Sequence, residues 1–297
     1  MTNNLDWLKG SAPPLITPFV DGEVDYETYA GLIEFQIANG SHCILVNGTT
    51  SEPASLTVEE RNRIVDVAIE TAKGKVPVIA ATGSQNIIET TQLTRHAAEA
   101  GADALLIVTP YYSRPPQRGM IEYYIKVMEG IDLPWMVYHI PGRTAVSVTL
   151  DTVKTLKERS PNFVGMKQAV NDLNFVSECL DAIPDYRVFV GLEELSYPMM
   201  AVGAVGLMNA VGNLAPKALS EMCEAVWAGD MAKGRKLHAD LLEVNQSVFY
   251  DTNPISVKYM MKRMGLIKDN EHRLPMAPAT PELEKRLDGV MKRAGLA

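Results

Sequence analysis

Cysteine and histidine are scarce in this sequence of 297 residues. The three cysteines, Cys43, Cys179 and Cys223, are odd in number and show no CxxC spacing, which argues against a disulfide framework or a zinc site. The five histidines form no HxH or HExxH pattern, so we expect no bound metal ion. Unpaired cysteines fit a reducing compartment, and we predict a cytoplasmic protein that needs neither a metal nor another cofactor.

Basic charge and long apolar runs are lacking as well. The formal net charge is −8 at pH 7, so the basic face that nucleic-acid binding requires is missing. The longest apolar stretch, residues 199–214, contains three glycines and two asparagines and falls short of the roughly 20 apolar residues of a membrane helix. Residues 1–10 lack the basic and apolar regions of a signal peptide. We therefore predict no nucleic-acid partner and no membrane attachment.

Short apolar runs rich in β-branched residues alternate with longer amphipathic segments. Hydrophobic residues make up 46% of the sequence, enough to bury a sizeable core. Near-continuous apolar strands are typical of a parallel sheet covered by helices on both faces. The predicted strands lie at residues 13–17, 43–47, 77–82, 104–109, 135–140, 163–168, 187–191 and 205–210.

Helical periodicity fills the segments between these strands. In residues 58–69 the side chains of Ile64, Val65, Ala68 and Ile69 share one face. Thr57 is a natural N-cap there, and Glu60 three residues later completes a capping box. Residues 86–100 and 149–159 show the same kind of pattern, so we predict helices there too.

Eight strands, each followed by a helix, predict a (β/α)8 TIM barrel, which typically takes about 250 residues. The competing fold, an open doubly wound sheet, would need a glycine-rich turn after its first strand to bind a dinucleotide, and residues 17–22 do not fit. After Asn213 only helical segments remain. We therefore predict a barrel at residues 1–225 and a C-terminal helical extension at residues 226–297.

Catalytic groups of such barrels come from the C-terminal ends of the strands, and Lys167 lies in the sixth predicted strand. A charged ammonium group is costly to bury, and the usual relief is loss of its proton. A neutral amine is a nucleophile toward ketones. The alternative is a lysine at a strand end that extends to solvent.

Two further strand ends, those of the second and fifth predicted strands, carry polar groups that suit a lysine nucleophile. The hydroxyl of Tyr138 could shuttle protons, or it could belong to a core aromatic residue. Thr49 and Thr50, after Gly48, could cradle a carboxylate or form an ordinary turn. Arg143 could bind a carboxylate with two hydrogen bonds or form a surface salt bridge.

Other polar or sulfur-containing positions favour structural roles. His139 is expected to point away from the barrel axis, because neighbours in a strand alternate faces. We interpret Glu193-Glu194 as a solvated helix start and Met199-Met200 and Met260-Met261 as core.

Taken together, these motifs resemble the dihydrodipicolinate synthase family, within the N-acetylneuraminate lyase superfamily of class I aldolases. The resemblance covers essentially the whole chain, in order. The motifs that carry it are Gly48-Thr49-Thr50-Ser51-Glu52, Thr109-Pro110-Tyr111-Tyr112, Tyr138-His139-Ile140-Pro141-Gly142-Arg143-Thr144, Gly165-Met166-Lys167, Asn253-Pro254-Ile255-Ser256-Val257-Lys258 and Arg273-Leu274-Pro275-Met276.

The resemblance implies a pyruvate lyase of lysine biosynthesis that needs no metal. Lys167 would form an imine with pyruvate. Tyr138 would shuttle protons, relayed by Thr49 and by Tyr112 from a neighbouring subunit. The family is usually a homotetramer built as a dimer of dimers.

The same resemblance assigns residues to substrate binding. Thr50 would bind the pyruvate carboxylate, and Arg143 would bind the carboxylate of the aldehyde partner, L-aspartate 4-semialdehyde. Gly191 and Met208 would line the pocket.

Two positions depart from the family pattern: Ser51 stands where glycine is usual, and His139 stands where asparagine is usual. Both leave the Schiff-base residues in place and bear on the second substrate. One alternative is therefore a catabolic aldolase or dehydratase acting on a 2-keto-3-deoxy sugar acid or another 2-oxo acid. A non-enzymatic small-molecule sensor on the same barrel is a further alternative, although a sensor would be expected to lose the lysine or the tyrosine.

Overall fold

A computed structural model describes residues 5–296 of the chain. Within those residues, eight short parallel strands form one sheet whose neighbours follow the order β1-β8-β7-β6-β5-β4-β3-β2. The strands are β1 (Gly10–Ser11), β2 (Ile44–Val46), β3 (Val78–Ala81), β4 (Ala104–Val108), β5 (Trp135–His139), β6 (Phe163–Gln168), β7 (Arg187–Val190) and β8 (Gly206–Leu207).

The sheet closes into a barrel between β1 and β2. The backbone N–H of Cys43 donates to the carbonyl of Ser11 at 3.1 Å, and the N–H of Leu45 donates to the carbonyl of Pro13 at the same distance. On the other side of β1, the N–H of Ala12 donates to the carbonyl of Leu207. The predicted (β/α)8 barrel is thus confirmed.

The first strand was placed wrongly by the sequence pattern. It covers Gly10–Ser11, and residues 13–17 contribute only an isolated bridge between Pro14 and Leu45. Pro13 and Pro14 have no N–H, so this apolar run cannot donate regularly to a ladder. The other seven strands lie within their predicted ranges, although β8 is only two residues long.

The helices that follow the strands cover the outside of the barrel. The predicted capping box on the second helix is present: Glu60 N donates to the Thr57 hydroxyl at 3.2 Å, and Thr57 N donates to the Glu60 carboxylate at 2.9 Å. These helices are α1 (Tyr26–Ala38), α2 (Val58–Ala72), α3 (Ile87–Ala100), α4 (Gln117–Val127), α5 (Leu150–Arg159), α6 (Leu173–Ala182), α7 (Ser196–Ala201) and α8 (Pro216–Trp227).

Four helices follow α8: α9 (Met231–Asp240), α10 (Leu242–Ser247), α11 (Ile255–Arg263) and α12 (Pro281–Ala294). α10 contacts the short turn Glu193–Leu195 after β7, and α11 contacts the turn Ala210–Asn213 after β8. The C-terminal segment therefore lies across the end of the barrel where the strands finish. The division at residue 225 remains an interpretation, and α8 itself runs on to Trp227.

Alternation along the strands separates two buried clusters. On β5, Met136 and Tyr138 belong to the smaller cluster inside the barrel, whereas Trp135 and Val137 pack in the layer between strands and helices. His139 contacts Phe175 of α6 with ring centroids 5.7 Å apart, so it points outward as predicted. The two methionine pairs are buried, which confirms their interpretation as core.

No helix within residues 5–296 combines the length and the apolar character needed to cross a membrane. The same residues contain no group of three or more histidine, cysteine or acidic side chains arranged to hold a metal ion. All three cysteines are buried and unpaired. The prediction that residues 1–10 do not form a signal peptide concerns a segment that lies partly outside the described residues, which begin at Leu5.

Candidate active site

A pocket of about 390 Å³, a volume that includes its open mouth, lies at the C-terminal ends of the strands. It is lined by seven of the predicted site residues: Lys167, Tyr138, Thr49, Thr50, Arg143, Gly191 and Met208. The remaining lining residues are Pro14, Ile140, Leu192, Glu193, Ala210, Phe249 and Asn253. The sequence prediction therefore identified half of the lining residues, and the other half comes largely from the ends of β7 and β8 and from the C-terminal segment.

Lys167 points into the barrel from β6. It is only 3% exposed, so the alternative of a lysine that extends to solvent does not hold. Lys167 is paired in register with Tyr138 on β5, and its Nζ lies 4.4 Å from the centroid of the Tyr138 ring. Within residues 5–296 no ion pair joins this amine to a carboxylate. The amine is thus held beside a phenol at the bottom of the pocket.

Tyr138 connects the lysine to the turn after β2. Its hydroxyl lies 3.3 Å from the Thr49 hydroxyl, and either group can be the donor. Tyr138 is buried, and its ring belongs to the cluster inside the barrel. A phenol and an alcohol therefore lie within hydrogen-bond distance of each other, and the ring of that phenol lies beside the lysine amine.

The turn that carries Thr49 and Thr50 is a short helical turn, Thr49–Ser51. Its side chains point in different directions. The hydroxyl of Thr50 accepts a hydrogen bond from Nδ2 of Asn253 at 3.0 Å. The hydroxyl of Ser51 donates to the carbonyl of Leu15 at 2.6 Å, and Ser51 is not among the residues that line the pocket. The serine that replaces the family's glycine is therefore directed into the core, away from the substrate.

Arg143 lies in the short helical turn Pro141–Thr144 after β5 and is exposed to solvent at the pocket mouth. Its Nη2 donates to the carbonyl of Asn253 at 3.5 Å. No salt bridge involves Arg143 in the described part of the chain, so the surface salt-bridge alternative is not supported. The guanidinium group remains available for a negatively charged ligand.

Gly191 and Met208 shape the wall beside the lysine. A Cβ atom at Gly191 would lie 2.9 Å from Cε of Lys167 and 3.0 Å from Cβ of Ala169, so only glycine leaves room for this side chain. Met208, directly after β8, is buried and its N–H donates to the carbonyl of Val190.

Tyr112 does not belong to the pocket of its own chain. Its side chain is 94% exposed, and its backbone adopts a left-handed conformation with φ of 68°. A single exposed aromatic residue is ordinary at a protein surface and does not by itself show a partner. Its predicted role in the site of a neighbouring subunit therefore remains a prediction.

Glu193 was misinterpreted from the sequence as part of a solvated helix start. Glu194 is exposed, but Glu193 is buried and lines the pocket. Its Oε1 accepts from the N–H of Ala210 at 2.6 Å, while Oε2 has no hydrogen-bond partner among the described residues. Burial raises the pKa of Glu193 to about 7, and the nearby charge of Lys167 opposes this rise. The sequence did contain one indication that Glu193 lines the pocket: it lies two residues after Gly191, at the C-terminal end of a barrel strand.

Phe249 and Asn253 were also missed as pocket residues. Both come from the segment between α10 and α11, more than eighty residues after Lys167 in the chain. No periodicity in the sequence shows that this segment folds back over the barrel. The motif Asn253-Pro254 was noticed, but the contact of Asn253 with Thr50 depends on tertiary structure.

This arrangement suits imine chemistry on a small keto acid. A buried amine can attack a ketone, a nearby phenol can move a proton, and a turn with hydroxyl groups can hold a carboxylate. Arg143 offers a second anion-binding group at the mouth of the pocket.

Comparisons with known proteins agree with this geometry. The model of the dihydrodipicolinate synthetase family matches residues 7–294. A relative from Thermus thermophilus named 4-hydroxy-tetrahydrodipicolinate synthase is 44% identical over 290 residues, covering 97% of each chain. The crystal structure of dihydrodipicolinate synthase from Aquifex aeolicus has a TM-score of 0.95 at 39% identity, covering 97% of this chain and 98% of that one.

A further similar structure is that of the chloride-inhibited dihydrodipicolinate synthase from Acinetobacter baumannii, solved in complex with pyruvate. It has a TM-score of 0.94 at 36% identity and covers 97% of this chain and 99% of its own.

Proposed function

This chain belongs to the dihydrodipicolinate synthetase family, and we propose that it is a class I aldolase-type lyase that condenses pyruvate with L-aspartate 4-semialdehyde in lysine biosynthesis. The observation that carries the proposal is Lys167, which is buried beside Tyr138 and forms no ion pair with a carboxylate of residues 5–296. Such an amine is suited to form an imine, and it faces a pocket that also presents the hydroxyl groups of Thr49 and Tyr138.

Lys167 acts as the nucleophile in this reaction. Its amine attacks the ketone carbon of pyruvate, the carbonyl oxygen leaves as water, and a carbon–nitrogen double bond forms. Loss of a proton from the pyruvate methyl group then gives an enamine. Gly191 leaves space for the side chain of Lys167, because a Cβ atom at this position would lie 2.9 Å from Cε of the lysine.

Tyr138 is proposed to move the protons. The enamine carbon attacks the aldehyde carbon of the second substrate, and the developing alkoxide takes a proton from a nearby acid. The hydroxyl of Tyr138 lies 3.3 Å from the hydroxyl of Thr49, so Thr49 can pass a proton onward, and the ring of Tyr138 lies beside the amine of Lys167. The amino group of the second substrate then attacks the imine carbon, closes the ring and releases Lys167.

Two sites are proposed to hold the two carboxylates. Thr49 and Thr50 lie on a turn deep in the pocket, which suits the carboxylate of pyruvate next to Lys167. Arg143 lies at the mouth, which suits the carboxylate of the semialdehyde. The unpaired guanidinium group therefore favours a second substrate with a carboxylate.

The proposal also covers the surroundings of the enzyme. We propose that Tyr112 completes the proton relay of a neighbouring subunit, since it is almost fully exposed in the single chain. This requires an oligomer, and we propose a homotetramer built as a dimer of dimers in the cytoplasm. Small-molecule substrates are the only further partners that we propose.

Trapping with borohydride tests the imine. Incubation with pyruvate and borohydride should attach one reduced pyruvate per chain at Lys167, located by peptide mass spectrometry. Lys167→Ala should lose the adduct and lower turnover by roughly 10⁵-fold or more, because it removes the nucleophile. An adduct at another lysine, or no adduct, would overturn the proposed chemistry.

Aldehyde specificity needs a separate measurement. Turnover of pyruvate with L-aspartate 4-semialdehyde should be much faster than cleavage or dehydration of 2-keto-3-deoxy sugar acids. The reverse order would retain Schiff-base chemistry and replace the biosynthetic assignment by the catabolic one. Absence of turnover with both substrate classes, despite ligand binding, would favour a sensor.

A further inference from the structure

The C-terminal extension carries a buried charge cluster that the proposed reaction does not use. Lys258 on α11 is fully buried, and its Nζ lies 2.9 Å from Oε1 of Glu52. Nδ1 of His272 lies 2.9 Å from the other oxygen of this carboxylate. Nζ of Lys258 also donates to the carbonyl of Glu271, and it lies 4.4 Å from the ring centroid of Phe19. Groups from residues 258–272 therefore enclose the carboxylate of Glu52.

Glu52 directly follows the turn that carries Thr49 and Thr50. Its backbone N–H donates to the carbonyl of Thr49 at 3.1 Å and closes that turn. The backbone of Glu52 is left-handed, with φ of 56°, a conformation that residues other than glycine adopt infrequently. Such a conformation persists where the surroundings hold it in place. Here the buried side-chain contacts of Glu52 provide that restraint.

A role in fixing geometry explains this cluster better than a role in stability alone. Replacing a buried ion pair by apolar residues is often neutral or stabilising, so the pair is weak evidence for stability. A charged pair does, however, fix the direction of both side chains. Asn253, from the same C-terminal segment, holds the hydroxyl of Thr50 at 3.0 Å. Two contacts from one segment thus converge on one catalytic turn.

We propose that Lys258 is a positioning residue that acts through Glu52. It holds the turn so that the Thr49 hydroxyl stays within reach of Tyr138, and it makes the C-terminal extension part of the catalytic apparatus. The inference rests on the proposed function, because Thr49 matters only if Tyr138 moves protons there. It assigns no direct contact between Lys258 and substrate.

Exchange of the pyruvate methyl protons with D₂O tests this role without the aldehyde. Exchange needs the imine and the proton relay, and it is followed by NMR. Lys258→Met should slow exchange by roughly 10–100-fold, less than the roughly 10²–10⁴-fold expected for complete loss of an acid–base group, while the borohydride adduct at Lys167 still forms fully. The matched control is Lys262→Met on the same helix, whose lysine pairs with Asp269 at the surface at 2.8 Å. It should change exchange less than twofold.

A double-mutant cycle with Thr49→Val separates positioning from general damage. If Lys258 acts through the Thr49 turn, Lys258→Met should add little to the loss already caused by Thr49→Val. Additive losses would overturn the proposal, as would unchanged exchange in Lys258→Met or an equal loss in Lys262→Met. If Lys258→Met does not fold, the same double-mutant cycle with Thr49→Val is measured with Glu52→Gln, which keeps the shape of the side chain.

The two proposals fail in different ways. If wild-type enzyme forms no adduct and exchanges no methyl protons, the proposed function is wrong. If wild-type enzyme does both and the cycle with Thr49→Val is additive, only the positioning role is wrong.

Discussion

Lys167 and Lys258 are both buried, but their surroundings differ. Lys258, in the C-terminal extension, contacts the carboxylate of Glu52 and the carbonyl of Glu271. Lys167, in the barrel, has the ring of Tyr138 beside it and no ion pair within residues 5–296. Burial lowers the pKa of Lys258, and the attraction of Glu52 opposes this shift.

The different neighbours give the two lysines different roles. Lys258 is a structural charge, and Lys167 is a reactive group. A buried lysine that has a carboxylate partner is held as part of an ion pair, and its amine is occupied by hydrogen bonds. A buried lysine that faces a pocket without such a partner can use its lone pair on a ligand. Burial alone would therefore not distinguish the two residues, and the neighbours of each amine do.

Removing the Tyr138 hydroxyl tests whether the neighbour of Lys167 has a chemical role. Tyr138→Phe keeps the ring that lies 4.4 Å from Nζ and removes only the group that reaches Thr49. We expect kcat to fall by roughly 10²–10⁴-fold, the usual scale for loss of an acid–base group. The borohydride adduct at Lys167 should still form. Steady-state kinetics with near wild-type turnover would show that the ring alone is what the lysine needs.

The sequence predicted Lys167 and Tyr138 because both depend on short-range patterns. Apolar strand segments and strict alternation place their side chains inside the barrel mouth, and capping motifs such as Thr57 and Glu60 mark helix starts. The first strand was misplaced because hydrophobicity outweighed the missing N–H groups of Pro13 and Pro14 in that prediction.

Residues whose role depends on distant contacts could not be predicted in this way. The burial of Glu193 depends on the N–H of Ala210 after the next strand. Lys258 lies on a helix whose residues 255–261 are all buried, and its partner Glu52 is more than two hundred residues away. The inward direction of the Ser51 hydroxyl, toward Leu15, likewise follows from tertiary packing.

Substituting each lysine by methionine should affect stability in different ways. Lys258→Met breaks the buried ion pair of Glu52 and leaves only His272 beside that carboxylate; loss of one partner of a buried ion pair typically costs about 3–5 kcal/mol. Lys167→Met breaks no ion pair, so the free energy of unfolding of this variant should stay within about 1 kcal/mol of the wild-type value or increase. Urea unfolding at one fixed protein concentration measures both. Equal losses for the two variants would contradict the distinction between the lysines.

Arg143 extends the comparison to a cation at the surface. It has no salt bridge within the described residues, and we expect it to bind the carboxylate of the aldehyde. Arg143→Ala should lower kcat/KM for aspartate semialdehyde by about 1.5–3 kcal/mol, the range for a hydrogen bond to a charged group. Arg143→Lys keeps the charge but loses the bidentate geometry and should give a smaller loss. An equal effect of Arg143→Ala on adduct formation with pyruvate alone would assign the arginine to the other carboxylate.

The protonation state of Glu193 determines whether Lys167 has a charged neighbour. Burial raises the pKa of Glu193 to about 7, from an ordinary value of 4.5, so the folded protein retains this proton while the unfolded chain loses it. Stability is therefore lost as pH rises from 4.5 toward 7, and the full cost remains above 7. Glu193→Gln removes this cost and keeps an oxygen that can accept from Ala210.

Between pH 5 and pH 8 the wild type should therefore lose stability relative to Glu193→Gln. We expect a shift of about 1–2 kcal/mol, less than the full 1.4 kcal/mol per pKa unit because the surroundings relax around a buried charge. Urea unfolding at several pH values measures it, and Glu194→Gln at the exposed neighbour is the matched control. A difference that does not change with pH would mean that Glu193 is ionised in the folded protein at pH 5. Lys167 would then have a charged neighbour after all, and its contrast with Lys258 would be one of distance.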